Sequence, residues 1–178
     1  MGILDFFGLK QYDDSVYKLY GQIVAQARDM SFYRHFGVAD TVNGRFDLIT
    51  LHMFIVLRRL KDFDEGGGLS QDLFDVMFAD MDKNMREMGI GDLRVGKKVK
   101  ALAVAFYGRI KAYDDGIAGL EGATLIGAMK RNLFLDSESS DAQVIKIADY
   151  VMQEIASSQK WSFTNLKVAN ISFGTVPE

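Results

Sequence analysis

The segment GDLRVGKK at positions 91–98 carries the first part of a phosphate-binding loop pattern, G-x-x-x-x-G-K. In that pattern the backbone N–H groups surround a phosphate, the lysine contacts it, and a following Ser or Thr holds Mg²⁺. Here Lys98 occupies the position of the hydroxyl residue, and the segment follows a helical pattern where the motif requires a strand. We therefore predict no nucleotide site. We expect only anion attraction at a helix start that carries Arg94, Lys97 and Lys98.

Three polar residues, Asp80, Asp82 and Asn84, have the spacing of the first ligands in a calcium-binding loop. Met85 stands where that loop needs glycine, and Gly91 stands where it needs a bidentate glutamate. A helical pattern runs through the same residues, which places the three polar side chains on a solvated face. The sequence therefore predicts no metal site.

The chain contains two histidines, His35 and His52, and no cysteine. The absence of cysteine excludes disulfides, thiolate catalysis and cysteine-ligated metal clusters. His52 is flanked by apolar residues, which favours a neutral imidazole that is hydrogen-bonded in the core. No Ser or Thr lies in a nucleophile elbow, so we predict neither an enzyme nor a bound cofactor. A small-ligand pocket, lined by His52 and an aromatic loop at 30–44, stays open as an alternative.

Residues 69–88 have a methionine-rich apolar face on a helical wheel. Its members are Leu73, Phe74, Met77, Phe78, Met81, Met85 and Met88. Ser70 is the predicted N-cap of this helix and Gly89 its predicted end. Methionine side chains adapt to irregular partners, so this face predicts either core packing, which we favour, or a surface that accepts hydrophobic segments.

A second helix is predicted to start at Gly91, with two faces of different character. The first is an ordinary core stripe of Val95, Val99, Leu102, Phe106, Ile110 and Tyr113. The second consists of small residues, namely Ala101, Ala105, Gly108 and Ala112. This pattern predicts either a helix packed on two sides with a solvated basic end, or a groove beside a positive patch that receives a partner.

The whole chain of 178 residues is 48% hydrophobic, has one proline and shows no regular polar–apolar alternation. These features predict an all-α fold, a single compact bundle of about six to eight helices. The net charge of −3 provides no general attraction to nucleic acid or to anionic membranes. The longest apolar run, 48–57, is too short for a membrane span of about 20 residues. We find no secretory signal, and we expect a cytoplasmic protein.

Further elements are predicted along the chain, and they divide it into three parts. A short apolar segment at 1–11 either contacts a membrane or partner or packs on the body. A helical domain follows at 12–160, and residues 161–178 form a docked tail that frays at its end. Helices are predicted at 12–29 and, apolar all round, at 45–61, with a glycine loop at 62–68. A last long helix, capped by Ser139 or Ser140, is predicted to bury Val144, Ile145, Ala148, Val151, Met152 and Ile155.

Several stretches taken together resemble the ubiquinol–cytochrome c chaperone family. They are YGQIVAQAR at 20–28, GVADTVNGRFDL at 37–48, LHMFIVLRRLK at 51–61, LSQDLFDVMFADMD at 69–82, REMGIGDLRVGKKVK at 86–100 and AFYGR at 105–109. The resemblance implies an all-helical assembly factor for the respiratory bc1 complex with no catalytic activity. Mitochondrial members pair with a small protein, associate with the ribosome and engage newly made cytochrome b. This chain has Ala39 where the family pattern has proline, and it shows no targeting extension, so we expect a bacterial-type member.

The resemblance and the basic cluster give a set of candidate partner-binding residues. They are Arg45, Arg58, Phe74, Phe78, Asp80, Asp82, Arg94, Lys97, Lys98, Lys100, Tyr107 and Arg109. The resemblance also carries over Asp40, Asp47, Asp75 and Asp92.

The resemblance leads us to expect binding of cytochrome b or another bc1 subunit. From the residues we expect this binding to be transient, with a small-residue or methionine-lined groove that takes an apolar helix and an adjacent basic patch that orients it. Peripheral contact with the inner membrane stays open, and we predict no specific DNA binding. The alternative is a ribosome- or RNA-contacting module that uses the cluster from Arg94 to Lys100, and its binding would weaken steeply with added salt.

Overall fold

The computed structural model describes residues 11–122, 124–135 and 137–177. In this part of the chain there are eight α-helices: α1 (Asp14–Ala27), α2 (Met30–Arg34), α3 (Val42–Leu60), α4 (Gly66–Glu87), α5 (Asp92–Ala118), α6 (Leu125–Asn132), α7 (Asp141–Ser158) and α8 (Phe163–Lys167). A 3₁₀ helix, Leu120–Gly122, joins α5 to α6, and the described residues include no strand. The predicted all-α bundle is confirmed. The apolar segment predicted at 1–11 lies outside the described residues except for Gln11.

Helix α3 is the centre of the bundle. It begins after Thr41, whose hydroxyl accepts a hydrogen bond from Gly44 N at 3.1 Å. From Phe46 to Val56 every side chain is buried, and α3 contacts α1, α4, α5 and α7. A helix that is apolar around its whole circumference can be stable only when other elements enclose it, so the prediction of a central helix at 45–61 is confirmed.

The segment 30–44, predicted as a loop, contains helix α2 and the first turn of α3, and that prediction was wrong in part. Asp29 caps α2 by accepting a hydrogen bond from Ser31 N at 2.8 Å. A helix of five residues is too short to show a helical period in sequence, which is why the pattern missed it. Phe32 and Phe36 are fully buried, so the aromatic residues of this segment fill the core.

Helix α4 starts four residues before the predicted cap. Its N-cap is Glu65, and Ser70 lies inside the helix, where its hydroxyl donates to Gly66 O at 2.8 Å. Gly66 packs against the end of α3, since a Cβ on it would lie 1.9 Å from Leu60 O. Glycine is therefore required at position 66 for close backbone approach, whereas the sequence pattern of 62–68 indicated only a loop.

The hairpin between α4 and α5 forms as predicted. Gly89 has a left-handed backbone, with φ of 79°, and Gly91 is the N-cap of α5. The methionine-rich face of α4 is mainly core, as favoured. Its buried members are Leu73, Met77, Phe78 and Met85. Only Met88, at the C-cap, is exposed, and no open methionine-lined groove is formed by the described residues.

Helix α7 is rotated from its predicted orientation. Ser140 caps it with a complete capping box, as predicted. However, Ile145 and Met152 are each 44% exposed, while Tyr150 and Glu154 are buried. The difference arises because α7 packs on α3 and α6 at once, and because its buried polar groups have hydrogen-bond partners that a hydrophobicity pattern does not include.

Residues 161–177 dock on the bundle. Trp161, Leu166 and Val176 are buried, and Phe173 lies with its ring 5.5 Å from that of Trp161. Gln22 and Gln26 of α1 hold the backbone of this segment by donating to Ala169 O at 3.0 Å and Gly174 O at 2.9 Å. Among the described helices, none combines the length and apolar character that crossing a bilayer demands.

The contact between Gly66 and Leu60 gives a stability prediction with an internal control. Gly66→Ala should lower the free energy of unfolding by about 2 kcal/mol, because its Cβ cannot fit against the Leu60 carbonyl. Gly67→Ala meets nothing within 4 Å and should raise stability by about 0.5 to 1 kcal/mol. Urea denaturation of both variants measures the difference. Equal effects of the two substitutions would contradict the close approach.

Candidate functional site

One side of α5 is left uncovered by the described residues, and we call it the open face of α5. It is formed by Leu93, Lys97, Lys100, Val104 and Tyr107, which fall within roughly 80° on a helical wheel. Leu93 is 96% exposed, Val104 70% and Tyr107 56%. Apolar side chains this exposed along one line of a helix favour a surface that binds another molecule.

The N-terminal half of α5 is basic. Arg94, Lys97, Lys98 and Lys100 are all exposed, and none of them forms an ion pair with a carboxylate of the described residues. Of the nearby acids of α4, Asp82 pairs with Arg86 of the same helix at 2.5 Å. The positive charge of this patch is therefore available to an outside partner.

The exposed ring of Tyr107 rests on an aromatic cluster. It stacks on Phe74 of α4 with ring centroids 5.2 Å apart, and Phe74 in turn contacts Phe78 at 4.5 Å and Phe106 at 5.6 Å. Partial burial, together with the charge of Asp75, raises the pKa of Tyr107, so its hydroxyl stays protonated at neutral pH. A tyrosine held rigidly at the surface contributes contact area at little entropic cost, as in protein interfaces.

Arg109 lies inside the fold. Its Nε lies 2.7 Å from Asp47 Oδ1, with side-chain exposures of 19% and 6%. The guanidinium also sits over the ring of Phe46, 5.5 Å from its centroid, and donates to Ala105 O at 3.3 Å. This ion pair joins α5 to α3, so Arg109 positions the open face and does not belong to it.

Two further arginines among the candidate residues are engaged within the chain. Arg45, near the start of α3, pairs at 2.8 Å with Asp40, which precedes that helix, and this hydrogen bond lowers the pKa of Asp40. Arg58 pairs with Asp114 near the end of α5, where Lys61 also binds the same carboxylate at 2.7 Å. Both arginines therefore join parts of this chain, away from the basic patch.

Candidate residues on α4 are also held by internal contacts. Phe78 is buried, and Asp80 accepts a hydrogen bond from Tyr20 at 2.9 Å. Asp75 is buried and accepts from Tyr12 at 2.9 Å. The structure thus brings Lys97, Lys100 and Tyr107 together on one surface, beside Arg94, Lys98 and Phe74, and leaves the other candidates apart from it.

His52, the centre of the alternative small-ligand pocket, is enclosed by side chains. Its Nδ1 donates to Leu48 O at 2.8 Å, and its Nε2 accepts from the hydroxyl of Tyr150 at 3.0 Å. Gln26 donates to the same hydroxyl at 2.9 Å, and Phe32 lies edge-on 5.4 Å from the imidazole. Burial lowers the pKa of His52 to about 4. Both ring nitrogens are occupied, which leaves the histidine no free atom for a ligand.

Leu93 and Val104 are the most exposed apolar residues of the open face, and neither was among the candidate residues predicted from the sequence. A signal for them exists in the sequence. Both fall on the side of the helical wheel opposite to Val99 and Phe106, where a helix buried on one face should carry polar residues. Leu93 and Val104 lie outside the core stripe and on the same side of the helix as Lys97, and this pattern would have indicated the surface.

Comparisons with known proteins find a matching family model and a similar solved structure. The family model described as Ubiquinol-cytochrome C chaperone matches residues 34–173. The crystal structure of the Cbp3 homolog from Brucella abortus is 35% identical and superposes with a TM-score of 0.79, over 92% of this chain and 90% of that one.

Curated relatives from animals are longer than this chain. Ubiquinol-cytochrome-c reductase complex assembly factor 1 of Xenopus laevis is 25% identical over 126 residues, which cover 70% of this chain and 62% of that protein. Its Drosophila melanogaster counterpart is 24% identical over 142 residues, 76% of this chain and 54% of the fly protein. The chain therefore spans less than two thirds of the length of these relatives.

The burial of Arg109 predicts an effect on stability. Arg109→Ala should lower the free energy of unfolding by about 3 kcal/mol, because it leaves the Asp47 carboxylate buried without its cation. Lys100→Ala, an exposed cation on the same helix, should change it by less than about 0.5 kcal/mol. Thermal and urea denaturation measure both. A small effect of Arg109→Ala would show that this ion pair does not hold α5.

The low pKa of His52 predicts how stability depends on pH. Folding keeps the imidazole neutral, whereas in the unfolded chain it takes up a proton near pH 6.5. The contribution of His52 is therefore complete above pH 6.5 and is lost as the pH falls toward 4, by up to about 3 kcal/mol. Replacing it with a group that does not titrate, by His52→Gln, should remove this component. Urea denaturation between pH 7.5 and 4 compares the two proteins, and parallel curves would contradict the assignment.

Proposed function

Since this chain belongs to the ubiquinol-cytochrome C chaperone family, we propose that it assists assembly of the respiratory cytochrome bc1 complex by binding a newly made subunit, without catalysis. The subunit that we propose is cytochrome b. The relatives named above are assembly factors of the ubiquinol–cytochrome c reductase complex, which is the basis for assigning that complex here.

The open face of α5 is the observation that supports binding as the mode of action. It combines exposed apolar side chains, a tyrosine supported by an aromatic cluster and cations with no ion-pair partner among the described residues. Charge on such a surface raises the rate of encounter and orients the partner, and the apolar side chains then supply contact area. Because the whole chain has a net charge of −3, this steering is confined to the patch.

Binding on this surface has to be transient for the protein to act as an assembly factor. The exposed apolar area is small, and the cations are fully solvated in the free protein, so the partner gains only moderate affinity. The subunit can then leave when it acquires its neighbours in the complex. We propose that this exchange takes place in the cytoplasm, with the protein held peripherally at the inner membrane by the subunit it binds.

A contact with ribosomal RNA is the second candidate function, and the four cations from Arg94 to Lys100 favour it. Phosphate contacts of this kind lose affinity steeply with salt, with a slope close to the number of phosphates neutralised. Leu93 and Val104 weigh against RNA, since exposed aliphatic side chains on the same face add nothing to phosphate binding. RNA binding that is absent at 50 mM salt would exclude this alternative.

Charge reversal on the basic patch tests the proposal. Lys97→Glu/Lys98→Glu should weaken capture of cytochrome b from solubilised membranes by about tenfold, because steering and pairing are both lost. The melting temperature should stay nearly the same, since both lysines are exposed. Lys18→Glu/Lys167→Glu is the matched control, with the same change of charge on exposed positions of α1 and α8, and it should capture normally.

The proposal is also tested in cells. A strain that lacks the protein should accumulate unassembled cytochrome b and little bc1 complex, as seen in native gels of its membranes. Expression of the control variant should restore the complex, and expression of the Lys97→Glu/Lys98→Glu variant should not. Normal assembly in the deletion strain would refute the function that we propose.

A further inference from the structure

We infer that the partner segment bound by the open face of α5 is an amphipathic acidic stretch from outside the membrane, and not an apolar membrane-spanning helix. This inference rests on the proposed function, and it specifies the chemistry of the segment that the surface recognises.

The open face combines two cations and three apolar residues along one line of the helix. In order along this line they are Leu93, Lys97, Lys100, Val104 and Tyr107, at successive spacings of four, three, four and three residues. Residues at these spacings are neighbours on a helix surface. A segment laid along the whole face therefore covers Leu93, then two ammonium groups, then Val104 and Tyr107, and it contacts both kinds of group.

A membrane span is a poor match for such a surface. Its side chains are apolar around the whole circumference, so it would remove Lys97 and Lys100 from water without supplying a carboxylate. Removing an unpaired charge from water costs more free energy than contact with Val104 and Leu93 returns. A segment with Asp or Glu at every third or fourth position would pair with the lysines and place its apolar residues on Val104 and Tyr107.

The length of the surface points the same way. From Leu93 to Tyr107 the helix rises about 21 Å, whereas the apolar part of a membrane span is about 30 Å long. Beyond Tyr107 the character of the surface changes, since Lys111 pairs with Asp115 at 2.6 Å and its charge is used within α5. The open face is therefore matched to about four turns of a partner helix.

Arg94 and Lys98 extend the positive charge beside this line. Both are exposed, and neither has an ion-pair partner among residues 11–122, 124–135 and 137–177. With Lys97 and Lys100 they provide four cations within two turns. A partner segment with several carboxylates would complement this positive charge, and for that reason we infer that the segment is acidic.

A peptide array provides the direct test. Overlapping 18-residue peptides that cover cytochrome b of the same bacterium would be probed with the purified full chain at 50 mM and 300 mM salt. The retained peptides should be extramembrane stretches with acidic and apolar residues at helical spacing. Binding should fall about tenfold or more at the higher salt, because solvated ion pairs are screened. Preference for membrane-spanning peptides, or equal binding at both salt concentrations, would overturn the inference.

Matched variants connect the peptides with the surface. Lys97→Glu/Lys100→Glu and Val104→Asp should each reduce binding about tenfold, by reversing the charge or by repelling the acidic segment. Ile145→Asp is the control, since Ile145 is an exposed aliphatic residue on α7, 44% accessible. If Ile145→Asp reduces binding as much as Val104→Asp does, the surface is not the one that we infer.

Photo-crosslinking in cells separates this inference from the proposed function. A photoreactive amino acid at position 104 should crosslink to an acidic extramembrane segment of cytochrome b. Crosslinks to a membrane span, in a strain whose bc1 complex depends on the protein, would overturn the inference and leave the function standing. Normal assembly of the complex without the protein would instead remove both.

Discussion

The structure depends on the complete enclosure of α3. No side chain from Phe46 to Val56 reaches solvent freely, so polar groups in this stretch need partners from other helices. Asp47 forms an ion pair with Arg109 of α5, and His52 accepts a hydrogen bond from the hydroxyl of Tyr150 on α7. Each of these contacts is made to one particular side chain, unlike the apolar contacts around it. The polar residues of the central helix therefore fix where its neighbours lie, while the apolar residues supply the stability.

The position of α5 follows from this arrangement. Two ion pairs tie α5 to α3, one through Arg109 and one through Arg58 and Asp114, and the stack of Phe74 on Tyr107 ties it to α4. The open face, which includes Tyr107, is otherwise left uncovered by the described residues. A partner therefore meets a helix whose backbone is already held in place, which lowers the entropic cost of binding.

Sequence patterns predicted the long helices correctly, but they did not predict the short helix α2 or the start of α4. The hairpin at Gly89 and Gly91 could be predicted because helical period, caps and glycines agree there. The start of α4 could not be predicted in this way. Gly66 is needed there because the Leu60 carbonyl lies too close for a Cβ, and a helical hydrophobic pattern does not report such a backbone contact. The site was predicted in part. Lys97 was named from its charge. Arg109 was assigned to a partner surface from the family resemblance, but residues shared within a family also include those that hold the fold together, and Arg109 is one of these.

One tryptophan serves the whole chain as an optical reporter, and its location decides what it reports. Trp161 is 3% exposed, its carbonyl accepts a hydrogen bond from Arg59 at 3.0 Å, and its ring lies edge-on to Phe173. Tryptophan fluorescence therefore follows the docking of the C-terminal residues on α3. Tryptophan emission therefore reports whether residues 161–177 are docked on the bundle. A fluorescent label on α5 is better placed to detect a bound partner.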